Sequence, residues 1–495
     1  MTDRRPDGLL RAGALLSSTA LLSAVIGLVR SKIIAVAAGP TGVGVLAQMN
    51  QVAALVGAFC SLGLGVVAVT LIAQARERGD HEQERRIIAL LLGLPVLLSV
   101  LLLVPASLFL TDLSGLLLGN SALRAEMLIA LVSVPFNILS IASAGVLLGW
   151  SRGRALSGVT LAGAVLGTVF TVGLVVVGGR GAVAWTVLAT SVAPIVALAA
   201  LQPRVLGHLS VRMIPNRQYR AMLRAPAAGM LINQALLFGS DTATRAIVLR
   251  QLGPAANGLF QPVVLLRTQL LVPLVGGIAA MLLPSLSRLI AGGKLDAARD
   301  ELRLAWRVIL LFIVPVCLLA VGLREVYVFV AFSSDFLPGA HLVLLQMPGE
   351  VLMAVALVLN AALLPAGRSR WYVVINVVAP LVQVSISVAL LSTLGLPALL
   401  VGFTAANAVT LVLQWRALAG TGLRPHGHLW IAIAGVALVT VAAVGVHLFG
   451  TVGEVAACAA AAAWPFLVST GAERTEVVRR LRNRGRAERP VVEPT

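Results

Sequence analysis

The chain has 495 residues, 59% of them apolar and only 12% charged, with a mean hydropathy of +0.97. Soluble globular chains carry about half apolar and a quarter charged residues, so this composition excludes a water-soluble enzyme, a disordered chain and a disulfide scaffold. The formal charge of +18 would ordinarily suggest nucleic acid, but the basic residues are confined to short gaps between long apolar runs, which excludes that too. In chain order the runs fall at 12–36, 43–73, 87–110, 125–149, 155–177, 182–201 and 225–251, then at 258–287, 306–331, 340–365, 371–394, 396–415, 429–449 and 453–470. A bilayer-spanning helix needs about 20 residues, and only a helix or a closed barrel satisfies its own backbone in lipid. The Leu-, Val- and Ala-rich runs lack an alternating polar face, so they predict fourteen helical spans. The first run contains Arg30 and Lys32 where a cleavable leader would carry small residues, and it reads as the first membrane helix. Cys60, Cys317 and Cys458 are scattered through apolar runs and read as small hydrophobes.

Basic residues set the orientation of a membrane protein. With the gaps numbered alternately, 30 of the 38 Lys and Arg residues fall in one set and four in the other. The rich set includes Arg76, Arg78, Arg85 and Arg86, the pair Arg152 and Arg154, and the tail from Arg474 to Arg489. This asymmetry predicts cytoplasmic termini and an even number of spans.

The two halves of the chain repeat at an offset near 214. Gly39-Pro40 and Gly44 match Gly253-Pro254 and Gly258, and Gln48 matches Gln261. Upstream, Leu10-Arg11-Ala12 matches Leu223-Arg224-Ala225 and Arg30 matches Arg245; downstream, Pro135 and Asn137 match Pro348 and Glu350. The hairpins Ser151-Arg152-Gly153-Arg154 and Gly367-Arg368-Ser369-Arg370 follow in the same order. Spans 1 and 7 start on the same side, so the repeat is parallel. It predicts two pseudo-symmetric six-helix bundles with a pathway between them, at 1–201 and 225–418. A cytoplasmic linker at 202–224 joins them, spans 13 and 14 occupy 419–471, and a basic cytoplasmic tail covers 472–495.

Neither a Walker A loop nor H-E-x-x-H occurs, and no Cys/His spacing suits a metal. The chain reads as a non-enzyme without cofactor or metal. The informative residues are ionisable groups inside spans, where a charge costs about 2.5–3.5 kcal/mol and usually faces a wet cavity or a partner. Arg267 lies about 14 Å into span 8 at 1.5 Å per residue, too deep to reach the interface easily. Arg30 and Lys32 sit in the outer third of span 1, where snorkelling is also open to them. Asp241 precedes Arg245 by four residues, the favourable order for an ion pair. Glu350 is a mid-span acid that desolvation would make a proton carrier, unless a nearby arginine holds it ionised. Pro348 and Gly349 just before it offer a hinge. Gln48, Asn50, Gln51, Asn137, Gln261 and Gln269 add uncharged donors and acceptors, individually interhelical glue and together a polar cleft. Arg30, Lys32, Arg245 and Arg267 against Asp241 and Glu350 leave that cleft net positive, which favours a phosphate or pyrophosphate gripped by Arg.

Two patches carry a family resemblance. Residues 37–48, A-A-G-P-T-G-V-G-V-L-A-Q, followed by S-L-G-L-G at 61–65, are similar to the first two spans of Wzx-type O-antigen and lipid-linked oligosaccharide flippases. These belong to the multidrug/oligosaccharidyl-lipid/polysaccharide (MOP) exporter superfamily, which includes the MATE transporters. F-L-P-G-A at 336–340, L-Q-M-P-G-E at 345–350 and L-P-A-G-R-S-R at 364–370 resemble that family's Gln-x-x-Gly-Asp stretch and basic hairpin, with Glu350 where the family more often has Asp. The resemblance implies an all-α, MATE-like polytopic protein of the bacterial inner membrane. Its implied activity is moving undecaprenyl-pyrophosphate-linked oligosaccharide to the outer leaflet by alternating access. Arg30, Lys32, Arg245 and Arg267 would receive the pyrophosphate, and Asp241 or Glu350 would couple the cycle to protons or sodium. A lipid II flippase shares these features, and a MATE-type cation antiporter would need an acidic cleft instead. Partners on this reading are the lipid-linked glycan and membrane lipids. The basic tail suits anionic headgroups or docking to a polymerase or glycosyltransferase.

Overall fold

The computed structural model describes residues 6–61, 64–208, 234, 236, 238–424 and 429–468. The tail at 472–495, most of the 202–224 linker and the Leu223-Arg224-Ala225 match lie outside the described residues. Among the described residues every regular element is helical. The first half contains α1 (Pro6–Ser61), α2 (Leu64–Glu77), α3 (His81–Leu108), α4 (Leu110–Leu117), α5 (Arg124–Gly149), α6 (Gly153–Gly178), α7 (Trp185–Leu201) and α8 (Pro203–Leu206). After α9 (238–251) come α10 (Pro254–Leu266), α11 (Val272–Ala291), α12 (Leu295–Gly322), α13 (Arg324–Ala331), α14 (His341–Leu363), α15 (Ser369–Leu394) and α16 (Pro397–Ala417), then α17 (Leu429–Phe449) and α18 (Thr451–Val468).

Eleven of the described helices are long and apolar enough to cross a membrane. Fourteen crossings are consistent with them. Trp185–Leu201 is a shorter apolar helix, α9 is described only in part, and the segment Leu22–Ser61 bends back on itself at Gly39. Gly39 has φ 63° and ψ −174° within α1 and is followed by Pro40. Glycine takes this backbone without strain, and proline fits the first turn of the helix that follows. Residues 31 and 50 of a straight helix would be about 28 Å apart, yet Ser31 and Asn50 line one cavity of about 290 Å³, so the two arms fold together. Gly253, with φ 84° and ψ 169° ahead of Pro254, repeats the device before α10.

The chain forms two compact units. One comprises Met1–Pro273, Glu325–Gln346 and Arg370–Thr410, and the other Leu274–Arg324, Met347–Ser369 and Leu411–Thr495. In the first unit the two Gly-Pro starts meet reciprocally. A Cβ added to Gly44 would collide with the Pro254 carbonyl oxygen, and one added to Gly258 would collide with that of Pro40. The Asn257 side-chain amide donates to the Gly44 carbonyl at 2.7 Å. Only a hydrogen at these positions permits backbone approach of this kind, the device that small residues serve in membrane helices. Packed beside them is a core that includes Met49, Met127, Phe332 and Phe336.

The second unit is built around α12, whose Trp306, Leu310, Ile313, Val314, Cys317 and Leu318 are buried. The Trp464 indole on α18 donates to the Leu310 carbonyl at 3.0 Å, and Gly435 on α17 leaves room for Val314. Arg324 pairs with Glu454 at 2.7 Å.

Candidate functional site

The cavity of about 290 Å³ lies wholly within the first unit. Its wall can be read from helical phase. The outgoing arm of α1 contributes Arg30, Ser31 and Ile34, and the returning arm contributes Val43, Leu46, Ala47, Asn50 and Gln51, spaced as one face of a helix. From α10 come Gln261, Val264 and Leu265, followed by Thr268 and Gln269 on the same stripe. Thr186 and Thr190 of α7 add hydroxyls one turn apart, and Arg245 of α9 closes the wall.

The two arginines are held differently. Arg245 is 8% exposed. It donates from Nη1 to Asn257 Oδ1 and to Gln261 Oε1, each at 3.3 Å, and its guanidinium lies 5.5 Å from the Phe260 ring centroid. Asp241, one turn back, acts on it electrostatically without lining the cavity. Arg30 reaches toward α6, where Gly167 leaves its space open: a Cβ there would be 3.5 Å from Arg30 Nη1. Among the described residues no carboxylate pairs with Arg30. Among the described residues no Asp or Glu lines the cavity.

The remaining residues singled out from the sequence stand elsewhere. Lys32, two positions beyond Arg30, donates to the Phe329 carbonyl and lies over the Phe329 ring at 4.6 Å. Arg267 opens a π-helical turn, Arg267–Leu271, and lies 4.3 Å from the Phe403 ring centroid. Gln48 is fully buried and donates to the Leu117 and Thr242 carbonyls at 2.8 and 3.3 Å. Asn137 lines a second, mostly apolar cavity of about 160 Å³ with Gln234 and Phe238. Glu350 is fully buried in the second unit, close enough to Cys317 to interact with it electrostatically. The cavity residues that sequence reasoning passed over are Ser31, Thr186, Thr190 and Thr268. The i,i+4 pairing of Thr186 with Thr190 in an apolar helix was the available signal.

A net-positive, polar-walled cavity among apolar helices defines a multi-pass membrane protein with an anion-compatible cavity. Its fold is that of the MOP superfamily. The lipid II flippase MurJ in an inward closed conformation matches with a TM-score of 0.71 at 12% identity, covering 94% of this chain and all of that one. An inward-facing multidrug resistance MATE family transporter of the MOP superfamily matches with a TM-score of 0.65 at 14% identity, covering 86% of this chain and 98% of that chain. A MOP superfamily transporter from Pyrococcus furiosus, described as having a binding pocket of reverse polarity, gives 0.59 at 14% identity, covering 86% and 96%. No curated protein sequence matches the chain. Residues 9–290 match the polysaccharide biosynthesis protein family, and the chain belongs to that family.

Proposed function

We propose that the protein is a flippase for undecaprenyl-pyrophosphate-linked oligosaccharide, carrying the sugar head from the inner to the outer leaflet of the bacterial cytoplasmic membrane. The observation that carries this reading is the composition of the cavity wall: Arg30 and Arg245 with hydroxyl and amide side chains, and no carboxylate. Arginine binds phosphate through paired N–H groups, and a desolvated guanidinium without an anionic partner is costly. A pyrophosphate supplies that partner. The volume is near the lower end of ligand pockets, roughly 300–1,000 Å³. It suits the pyrophosphate and the adjoining sugar, with the polyprenyl tail left in lipid.

In this mechanism Arg30 and Arg245 receive the pyrophosphate, while Asn50, Gln51, Gln261 and Gln269 exchange hydrogen bonds with the glycan. Lys32 and Arg267 act before or after this bound state, as outer contacts along the path. Asp241 restrains the charge on Arg245, and Asp241 or Glu350 couples the alternating-access cycle to proton or sodium movement. On this reading both termini lie in the cytoplasm, which the distribution of basic residues supports. Family membership in polysaccharide biosynthesis favours an exopolysaccharide or O-antigen unit. Lipid II is the second reading, favoured by the extent of the MurJ match and by its own pyrophosphate. A cation antiporter is disfavoured by the absence of acid from the wall.

Proteoliposomes containing only this protein test the proposal, with accessibility of a polyprenyl-pyrophosphate-linked sugar as the readout. Transbilayer movement should exceed that in empty vesicles. Arg30→Ala and Arg245→Ala should each reduce it about tenfold, since a lost charged hydrogen bond is worth roughly 1.5–3 kcal/mol. Equal rates in protein-free vesicles, or unaltered rates in both variants, would refute it. Faster movement of lipid II than of an oligosaccharide-linked lipid would select the second reading.

A further inference from the structure

A second charged chamber lies at one end of the first unit, remote in sequence from the residues of the central cavity. Its walls come from three separate gaps between helices: Arg76 and Glu84 around the start of α3, Trp150 and Arg152 between α5 and α6, and Arg204 after α7. Local sequence fixes each part. Asp80 caps α3 by accepting from the Gln83 backbone N–H at 2.9 Å, which places Glu84 in the first turn. Glu84 accepts from the Trp150 indole at 2.6 Å and stands 3.8 Å from Arg76 and 3.6 Å from His81. The indole packs edge-on against His208, with centroids 5.8 Å apart. One carboxylate thus orders the tryptophan and pairs with Arg76, in a chamber that Arg152 and Arg204 also line.

The turn that presents Arg152 is unusual. Ser151 has φ 56° and is the sole non-glycine with positive φ among the described residues. Its counterpart in the second half is Gly367, with φ 72°, which adopts this conformation without the cost, of order 1–2 kcal/mol, that a side chain brings. The arginines that follow also differ. Arg368 donates to the Ala419 carbonyl at 3.2 Å, whereas Arg152 lies over the Trp150 ring at 5.2 Å and its N–H groups meet no hydrogen-bond acceptor among the described residues. Exposed apolar side chains lie close by in sequence: Leu148, four residues before Arg152, is 46% exposed, and Leu201, three before Arg204, is 49% exposed.

We infer that this chamber is a binding site for the phosphate of an anionic membrane phospholipid, gripped by Arg76, Arg152 and Arg204 over the Trp150 platform. Three guanidiniums against one carboxylate supply the charge. Tryptophan is a side chain favoured at membrane interfaces, and the exposed Leu148 and Leu201 offer acyl chains a surface that a free phosphate would not need. The inference is independent of what the central cavity transports.

The test uses the full-length purified protein in neutral detergent, with phosphatidylglycerol, phosphatidylcholine or inorganic phosphate added separately. Native mass spectrometry and thermal unfolding are read together. Phosphatidylglycerol should give a retained one-lipid adduct and a higher melting temperature, and the other two should give neither. R152A/R204A should weaken the adduct by at least about tenfold, while R78A/R85A, which removes equal charge outside the chamber, should leave it unchanged. Should R152A/R204A fail to fold, R152K/R204K keeps the charge but loses the bidentate fork and should still weaken retention severalfold. Undiminished retention in the chamber variants, equal loss in R78A/R85A, or an equal shift with inorganic phosphate would each overturn the inference.

Discussion

Within the central cavity, small differences of side-chain direction decide which polar groups take part. Arg30 packs against Gly167, where a Cβ alone would meet Nη1 at 3.5 Å and the Ala193 Cβ at 3.6 Å in van der Waals contact, leaving no room for a larger side chain. Gly167→Val should therefore displace the guanidinium without altering charge. In the vesicle assay it should match Arg30→Ala in direction, a loss of about tenfold, while the melting temperature changes far less than transport. Gln48 illustrates the opposite role. It is buried and bridges the Leu117 and Thr242 carbonyls, so Gln48→Leu should cost roughly 1–3 kcal/mol of stability, read as a lower melting temperature. Helical phase was enough to separate these roles beforehand. At 100° per residue Lys32 points about 200° away from Arg30, and Gln48 falls about 60° beyond the edge of the Val43–Leu46–Ala47–Asn50–Gln51 stripe. Polarity and depth alone grouped them together. Arg30 and Arg245 were legible as a pair because the repeat aligns them and charge in a span demands a polar setting.

Among the elements, the Gly-Pro breaks at 39–40 and 253–254 are the features most directly readable from sequence. Each requires a positive φ followed by a residue that suits a first helical turn, and each adopts that backbone. Their consequence four and five positions later was less readable. Gly44 and Gly258 mark the repeat, but that each packs on the other copy's proline is a fact of tertiary structure. Gly44→Ala and Gly258→Ala should each force the two helices apart and lower stability by about 1–3 kcal/mol, the usual cost of overpacking. Gly27→Ala is the contrast: nothing lies within 4 Å of its added Cβ, so the change should be neutral or stabilising by up to about 1 kcal/mol. Thermal unfolding of the three variants in one detergent makes the comparison. The π turn at Arg267–Leu271 had no sequence signature of its own. Insertions of this kind arise where packing reorients a helix, and here Arg267 meets Phe403 while Thr268 and Gln269 keep the cavity face.

For the molecule as a whole, hydropathy and the alternation of basic gaps gave the helical membrane architecture, since lipid leaves few ways to satisfy a backbone. The three gaps that meet around Trp150 lie at one end of the first unit, as that alternation requires of them. The composition of the compact units was not legible: each gathers three stretches of chain, and pairings between distant helices leave no local periodic mark. The last two spans show what such packing does. They lie outside the repeat, yet α17 and α18 hold the buried face of α12 through the Trp464–Leu310 hydrogen bond, the close approach of Gly435 to Val314 and that of Gly322 to Cys458. If they were an accessory, a chain ending at Leu418 would remain folded. The contacts argue otherwise, because truncation exposes a wall of α12 that is closed by shape, not by hydrophobicity alone. Removal of residues 419–495 should yield protein that aggregates on detergent extraction. Trp464→Phe, which loses one hydrogen bond and keeps most of the ring, should lower stability by only about 0.5–1.5 kcal/mol. Size-exclusion profiles and melting temperatures of the two variants distinguish a structural role from an appended one: a monodisperse truncated protein with an unchanged melting temperature would rule the structural role out.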